Sequence, residues 1–327
     1  MLLVRTLLAA ATLLVSAVLG PLLGDAGPEE RPIVPIPLSG GLERADAEIS
    51  GLAWYGDELV ILPQYPERLG GNVFAMARGD VEAWLDGRGT APVPRAVPIE
   101  ASGLEQREGF EGFEAIAFRG AQVFLTVEIE EGQPEGLLLR GRVEGDLERI
   151  AIDPSRRARL APQADIENLA YEALAVTDDR VMVFYETNGA NNAEPRVRVF
   201  DHDLRPQHDL DLGHIEYRIT DVSEVDASGR MWAVNYFWDG EEWEPGECPI
   251  AARFGLGATH ARSRNVERLV ELRVTDRGVE PTDTPPIQLE LDPDGARNWE
   301  GIVQLPGRGF LIVTDEHPES ILAFVPG

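Results

Sequence analysis

Five short phrases in the chain place a polar residue ahead of small and apolar residues. They begin at Ser50, Glu114, Glu172, Glu224 and Glu300. After each phrase the chain passes a short turn and returns along an apolar segment that ends on another polar residue. These second residues are Gln64, Glu128, Glu186, Asn235 and Asp315. Carboxylates, amides and hydroxyls of this kind can bind cations, act as general bases and hydrogen-bond polar substrates.

Each phrase predicts a β-hairpin, because apolar segments flank a turn rich in Gly and Asp. The hairpins recur about every 50 to 75 residues, and further strand-like segments follow each of them, as in the blades of a β-propeller. Only one such segment follows the fifth hairpin, so Arg31 to Leu38 is expected to supply the missing strand. We therefore predict an all-β fold, a β-propeller over residues 27–327. Five four-stranded blades, closed by the N-terminal strand in the last blade, fit the sequence, and six blades are the alternative.

In a propeller the first strand of each blade lines the central channel, and it begins on the face where the second strand ends. Both polar ends of every hairpin are therefore expected at one end of the channel. Four glutamates roughly 6–8 Å apart, at an effective dielectric constant near 20, would repel by about 2–3 kcal/mol per pair. The pairs sum to on the order of 10 kcal/mol, comparable to the stability of a whole domain.

Protonation, arginine partners or a bound cation could relieve this repulsion. Calcium suits oxygen ligands, so we predict a calcium ion held by the five leading residues, Ser50, Glu114, Glu172, Glu224 and Glu300. Neutralisation by arginine alone is the alternative, because several arginines lie shortly before these residues. They are Arg44, Arg107, Arg218 and Arg297. Together with a cation, they could also grip a small anionic substrate.

A long segment, residues 236–265, separates the second and third strands of the fourth blade. It carries Arg253, His260, Arg262 and Arg264, a basic group in an acidic chain. A connection of this length is too long for a hairpin. It is expected either to pack on the fourth blade as an insertion or to cover the site as a positively charged lid.

The composition excludes some partners. The net charge of −28, from 57 acidic and 29 basic residues, disfavours nucleic acid and anionic membranes. Residues 1–26 resemble a secretory signal peptide, with an uncleaved anchor as the alternative. After cleavage no membrane span is expected, and Cys248, the single cysteine, leaves no internal disulfide. We expect a secreted or periplasmic monomer.

Two stretches, "REGFEGFEAIAF" with the following "VFLTVE" and "NWEGIVQLPGRGFLIVTDE", resemble the phytase-like, esterase-like propeller proteins of bacteria. A looser resemblance exists to five-bladed calcium-dependent nucleotidases, in which Ser and Glu at the heads of inner strands hold a central calcium ion. The resemblance implies an exported calcium-binding propeller. No segment matches the substrate motifs of a nucleotidase.

The sequence contains no Gly-x-Ser-x-Gly, P-loop or His-Glu-x-x-His motif. Metal-assisted hydrolysis of phosphate esters is therefore our first hypothesis, with Glu128, Glu186 and Asp315 as candidate catalytic carboxylates. The candidate ligand-binding residues are Arg107, Arg218, Arg297, Arg253, His260 and Arg262. A non-catalytic binding propeller of the cell envelope and a lactonase-like hydrolase are the alternatives.

Overall fold

A computed structural model describes residues 27–101, 103–131, 133–166, 170–315 and 319–327. The predicted signal peptide lies outside the described residues. The strands are β1 (Glu30–Arg31), β2 (Val34–Ile36), β3 (Ile49–Tyr55), β4 (Glu58–Pro63), β5 (Asn72–Ala77), β6 (Arg95–Glu100), β7 (Phe110–Arg119), β8 (Gln122–Glu131), β9 (Gln133–Glu144), β10 (Arg149–Leu160), β11 (Ala173–Val176), β12 (Val181–Phe184), β13 (Arg196–Phe200), β14 (Leu210–Leu212), β15 (Arg218–Val222), β16 (Arg230–Phe237), β17 (Val266–Val274), β18 (Gly278–Pro281), β19 (Ile287–Leu289), β20 (Trp299–Leu305), β21 (Gly309–Thr314) and β22 (Leu322–Pro326). The α-helices are α1 (Arg78–Leu85) and α2 (Pro249–Phe254).

Antiparallel pairing divides twenty of these strands into five groups of four. The groups are β3 to β6, β7 to β10, β11 to β14, β15 to β18, and β20 to β22 together with β2. The first strands of neighbouring groups lie against one another, and β3 contacts both β7 and β20, so the ring closes. The prediction of an all-β propeller is confirmed.

Strand β2 supplies the fourth strand of the last group, as the sequence predicted. Val34 pairs with Phe324 and Ile36 pairs with Leu322, antiparallel to β22. Strand β19 pairs with β17 of the fourth group, and β1 pairs in parallel with β19, so the N-terminal segment contacts both the fourth and fifth groups. Parallel pairing of β6 with β10 and of β14 with β18 covers further outer edges.

Each pair of neighbouring groups encloses its own apolar layer, because alternate side chains of a strand point to opposite faces of the sheet. In β4, Leu59 and Ile61 pack toward the fifth group, whereas Val60 and Leu62 pack toward the second. Comparable layers lie between the second and third, the third and fourth, and the fourth and fifth groups. The core is therefore a ring of five layers around the channel, and it holds the first strands in place.

Candidate functional site

β-Bulges position leading polar residues at one end of the channel, which we call the channel mouth. The bulged residues are Ser50, Glu114 and Glu300, each at a one-residue register shift near the start of a first strand. A bulge redirects its side chain relative to the regular alternation of the strand. All three residues are buried, with at most 9% of their surface exposed.

The third group places Glu172 at the equivalent position, directly ahead of β11. The backbone N–H of Glu186 donates to the carbonyl of Ala170 at 3.0 Å. In the fifth group the N–H of Asp315 donates in the same way to the carbonyl of Asn298 at 3.1 Å. In both groups the accepting residue lies two positions before the leading glutamate, so the two hairpins open in the same way at the mouth.

The fourth group places a different residue at the mouth from the one predicted. The register of β15 shifts between Ile219 and Val222, and Thr220 lies in this irregular stretch. Glu224 follows the end of β15 and lines a cavity with Trp54 at the opposite end of the channel, which we call the far end. The prediction that Glu224 belongs to the ring was therefore wrong.

The turn after β15 explains this error. Asp226 Oδ1 accepts the N–H of Ser228 at 2.7 Å and the N–H of Arg230 at 2.9 Å, which closes the turn. The phrase beginning at Glu224 runs into this turn instead of opening the strand. Its likeness to the other four phrases shifted the alignment away from Thr220.

Ser50 and Thr220 make matching contacts between neighbouring groups. Ser50 Oγ donates to the carbonyl of Phe113 at 2.6 Å, and Thr220 Oγ1 donates to the carbonyl of Trp299 at 2.5 Å. Each of these carbonyls belongs to the residue just before the leading glutamate of the adjoining group. The two hydroxyls therefore fix the spacing of leading residues, and their protons are already engaged.

The returning strands bring their final polar residues to the same mouth. Gln64 Nε2 donates to Glu114 Oε1 at 3.2 Å, which joins the end of β4 to the head of β7. Asn298 Nδ2 donates to Asp315 Oδ2 at 2.9 Å. Amide groups thus orient two of the carboxylates.

In the fourth group Tyr236, and not Asn235, takes this position, since the register pairs Tyr236 with Arg218. Asn235 is fully buried: its Nδ2 donates to the Arg218 carbonyl at 2.8 Å and its Oδ1 accepts from Arg268 Nε at 2.8 Å. Burial and then the charge of Glu300 raise the pKa of Tyr236. Tyr236 therefore stays a neutral hydroxyl beside the carboxylates.

Six acidic side chains influence one another at the mouth, and we call them the carboxylate cluster. They are Glu114, Glu128, Glu172, Glu186, Glu300 and Asp315. Burial, followed by the charge of Glu128, raises the pKa of Glu114 well above its usual value. Burial and the charge of Glu186 raise the pKa of Glu128 to about 7. Part of the cluster is therefore protonated at neutral pH unless a cation neutralises it.

The remaining pKa shifts point in the same direction. Burial and then the charge of Glu186 raise the pKa of Glu172 well above its usual value. Burial and then the charge of Asp315 do the same for the pKa of Glu300. Burial also raises the pKa of Glu186, although the charge of Arg218 opposes this.

Among the described residues, Arg218 is the arginine whose charge acts on the cluster. Its Nη1 forms an ion pair with Glu186 Oε1, and its Nη2 donates to Glu241 Oε2 at 2.8 Å. Burial lowers the pKa of Arg218, but the charge of Glu186 and the hydrogen bond to Glu241 outweigh burial and raise it well above normal. Glu186 of the cluster and Glu241 of the long segment thus already share this guanidinium.

The other arginines predicted near the mouth have partners elsewhere. Arg297 Nε donates to Glu267 Oε2 at 2.9 Å in a buried ion pair between the fourth and fifth groups. Arg107 Nη2 lies 3.3 Å from Glu135 Oε1, and exposed Arg44 pairs with its neighbour Asp46. Of the predicted anion-binding residues, the structure brings only Arg218 into the cluster.

The basic residues of the long segment do not converge on the mouth either. Arg253 forms an ion pair with Asp283 at 2.8 Å, and Arg262 donates to a carbonyl of its own loop at 2.9 Å. His260 is buried, and its Nδ1 lies 2.8 Å from Glu30 Oε1, next to the N-terminal strand. These residues are engaged with partners of their own, so the contacts do not support the alternative of a positively charged lid.

The segment packs on the fourth group as an insertion, which was the other expectation. Trp243 stacks edge-on against Phe237 with ring centroids 5.3 Å apart. The N–H of Gly246 donates to buried Glu216 Oε1 at 2.9 Å. The side chain that the segment brings to the mouth is Glu241, an acid.

The cluster offers oxygen donors that suit a hard cation. Glu172 Oε2 is buried and has no hydrogen-bond partner, which is unusual for a buried carboxylate oxygen. Carboxylate and hydroxyl oxygens are the ligands that calcium prefers, whereas zinc and copper favour nitrogen and sulfur. Within the described ranges no three His, Cys, Asp or Glu side chains form a ready metal site. Holding an ion would therefore require these side chains to turn toward a common point.

Sequence reasoning missed Thr220, Tyr236 and Glu241. The sequence carried little signal for Thr220, because charged Asp221 follows it where Gly or Ala follows the other leading residues. No sequence signal pointed to Glu241, because it reaches the mouth from within a long segment whose path depends on tertiary packing.

The chain belongs to the class of all-β propellers with a carboxylate-lined channel mouth. A scan against protein-family models found no match, and a search of curated proteins found none. Among the described helices, none is long and apolar enough to cross a membrane.

Some solved structures resemble this chain at low sequence identity, and the proteins concerned have different activities. The soluble aldose sugar dehydrogenase of Escherichia coli, in the apo-form, is 13% identical, with a TM-score of 0.45 and coverage of 87% of this chain and 97% of that one. The GH43_1 enzyme of Xanthomonas citri complexed with xylose is 10% identical, with a TM-score of 0.46 and 90% coverage of both chains. Such distant similarity carries no functional argument, and the fold assignment rests on the strand pairing.

Proposed function

We propose that the protein is an exported, calcium-binding β-propeller that hydrolyses neutral esters of the lactone type at its channel mouth. The observation that carries this proposal is the charge imbalance of the carboxylate cluster. Six acidic side chains meet there, and Arg218, the arginine that acts on them among the described residues, is already bonded to Glu186 and Glu241.

The repulsion could be relieved by arginine partners, by protonation or by a bound cation, and the contacts argue against the first. Arginine neutralisation is insufficient, since Arg107 and Arg297 are engaged with other carboxylates. Protonation and a bound cation are the two that stay open. Calcium is abundant outside the cell. As a hard cation it suits a site built from oxygen atoms alone. The buried, unpartnered Oε2 of Glu172 supports the cation.

We assign cation binding to Glu114, Glu172 and Glu300, whose carboxylates belong to three different groups around the mouth. Calcium, when bound, would polarise a carbonyl oxygen of the substrate and hold a water molecule near it. Ser50 and Thr220 set the spacing of these groups through their inter-group hydrogen bonds.

Glu128 is the candidate general base. Its pKa of about 7 allows it to accept a proton from water and return it at neutral pH. Glu186 is less suited, because it is fully buried and paired with Arg218. Asp315 accepts a hydrogen bond from Asn298, which favours a positioning role. Tyr236 can donate its hydroxyl proton to a substrate oxygen.

The substrate class follows from electrostatics. A phosphate ester would approach several carboxylates and find Arg218 already engaged, so a neutral ester meets less repulsion. Hydrolysis of phosphate esters is the second candidate, supported by the resemblance to phytase-like propellers, and it would depend on bound cations for all of its anion binding. The contacts do not favour a small anionic ligand held by Arg253, His260 and Arg262, since each of these residues is engaged with another partner.

The export part of the proposal rests on sequence. A leader of the signal-peptide type precedes the propeller, and the strongly acidic remainder contains a single cysteine, which is buried. A secreted or periplasmic location would also provide the calcium that the cluster is proposed to bind.

The Glu172→Gln variant tests the cation in a way that separates it from a merely structural carboxylate. With calcium at about 100 times its Kd, the wild type should gain about 2.7 kcal/mol, or roughly 5 to 10 °C in Tm. Glu172→Gln should lower Tm in calcium, because a ligand is weakened, and should raise Tm or leave it unchanged in chelator, because repulsion falls. Exposed Glu108→Gln is the matched control and should change neither value.

Destabilisation by Glu172→Gln in both conditions, with no response to chelator, would refute calcium binding. Activity is tested separately with a panel of lactones and phosphate esters, each with calcium and with chelator. Calcium-dependent turnover of lactones should fall at least about a hundredfold in Glu128→Gln, the range expected for loss of a general base. Turnover of phosphate esters alone would favour the second candidate, and calcium binding without any turnover would favour a binding propeller.

A further inference from the structure

The far end of the channel contains a second concave site, separate from the carboxylate cluster. The cavity there comprises about 360 Å³ of space including its opening. Its lining comes from the first strands of all five groups, downstream of the residues that form the mouth. Apart from Glu224, the side chains lining it are apolar or aromatic.

Small side chains create the space. Ala53, Ala117 and Ala175 lie at the same position of three first strands, three residues after the leading polar residue of each strand. A larger side chain at any of these positions would reduce the space in the cavity. Binding sites for small molecules commonly combine such an apolar wall with one or a few placed polar groups.

Glu224 is that polar group. Its side chain is exposed to the channel, yet burial by the surrounding protein raises its pKa, although hydrogen bonds from backbone groups, including those of Trp54 and Gln304, oppose this. The nearby guanidinium of Arg78 has other partners: it lies 3.5 Å from Asp57 Oδ1 and 4.3 Å above the Trp54 ring. A carboxylate in an apolar wall without a full counter-ion favours a positively charged ligand.

We propose that the far end of the channel binds a small organic ammonium ion, with Glu224 as its counter-ion and the alanine-lined wall around its apolar part. An ammonium group donates hydrogen bonds to a carboxylate, and an alkyl chain of a few carbons can contact the apolar wall. Inorganic cations lack the apolar part and would gain nothing from the wall. This site is independent of the function proposed for the mouth.

Isothermal titration calorimetry with n-butylammonium chloride tests this proposal, with n-butanol as the neutral probe. The wild type should bind the ammonium ion with a millimolar Kd and should bind n-butanol at least about tenfold more weakly. Glu224→Gln should weaken ammonium binding about tenfold or more and leave its calcium response unchanged. Asp178→Asn, an exposed carboxylate in a turn at the same end, is the matched control and should bind normally.

A second variant tests the wall. Ala117→Leu should exclude n-butylammonium while leaving Glu224 in place, and its folding is checked by circular dichroism and by the calcium response. Equal ammonium affinity in the wild type and Glu224→Gln would overturn the proposal, because binding would then arise at the carboxylate cluster or at the surface. Absence of ammonium binding to the wild type at millimolar concentration would overturn it as well.

Discussion

Replacing Glu128 by Gln should stabilise the protein at alkaline pH, which is an unusual outcome for a partly buried polar residue. Burial, together with the charges of Glu186 and Glu111, raises the pKa of Glu128 from 4.5 to about 7. The folded state therefore disfavours the ionised carboxylate. Glutamine keeps the size and polarity of the side chain and removes its charge.

The magnitude follows from the two pKa values. Their difference, about 7 minus 4.5, is about 2.5, which corresponds to about 3 kcal/mol at 1.36 kcal/mol for each pH unit. An acid whose pKa is raised on folding costs nothing below its unfolded pKa and costs the full amount above its folded pKa. The wild type should therefore lose about 3 kcal/mol from this group between about pH 4.5 and about pH 7, and the variant should not.

Urea unfolding monitored by tryptophan fluorescence, in chelator, at about pH 4 and about pH 8 measures this difference. Glu128→Gln should be nearly neutral at the acidic pH and more stable than the wild type at the alkaline pH. Glu108→Gln, at an exposed residue ahead of β7, is the control and should change little at either pH. Equal destabilisation by Glu128→Gln at both pH values would show that its charge is fully compensated, and the charge imbalance of the cluster would be refuted.

Two further predictions concern the cluster's arginine and the closure of the ring. Arg218→Gln should destabilise by about 3 to 5 kcal/mol at about pH 8, because it leaves Glu186 and Glu241 without their cation, and much less at about pH 4; a pH-independent loss in urea unfolding would contradict this. Removal of residues 31–38 should expose the edge of β22 and yield aggregated protein in size-exclusion chromatography, whereas a monomeric truncation with an unchanged Tm would show that β2 does not close the ring.

Much of the architecture could be predicted from the sequence because it depends on local patterns. Alternation of apolar residues and the turns between them revealed the hairpins, and the lone segment after the fifth hairpin indicated that Arg31 to Leu38 must complete a blade. The leading positions of four groups were recognised for the same reason. In the fourth group the pattern failed, since the turn after β15 is lengthened and Thr220 resembles none of the glutamates.

The arginines could not be placed from the sequence, because proximity along the chain does not determine where a long side chain finds its partner. Arg297 lies three residues before Glu300 and yet turns toward Glu267 from another group. Arg218, by contrast, reaches Glu186 of the preceding group. Which acid each arginine meets is decided by the packing of neighbouring groups, and the local pattern carries no information about it.

The ring of five apolar layers has a consequence for how the mouth can adjust. If the groups formed an open row, two neighbours could separate by opening only the apolar layer between them. In a closed ring, each group packs against a neighbour on both sides. Moving two groups apart would therefore disturb the layers on their other sides, and the neighbouring groups oppose such a rotation. The aperture of the mouth is therefore nearly constant, and selectivity has to come from side-chain rotamers and from the segment that carries Glu241. A variant of this propeller with a different ligand would thus be obtained by changing that segment, with the circuit of strands left intact.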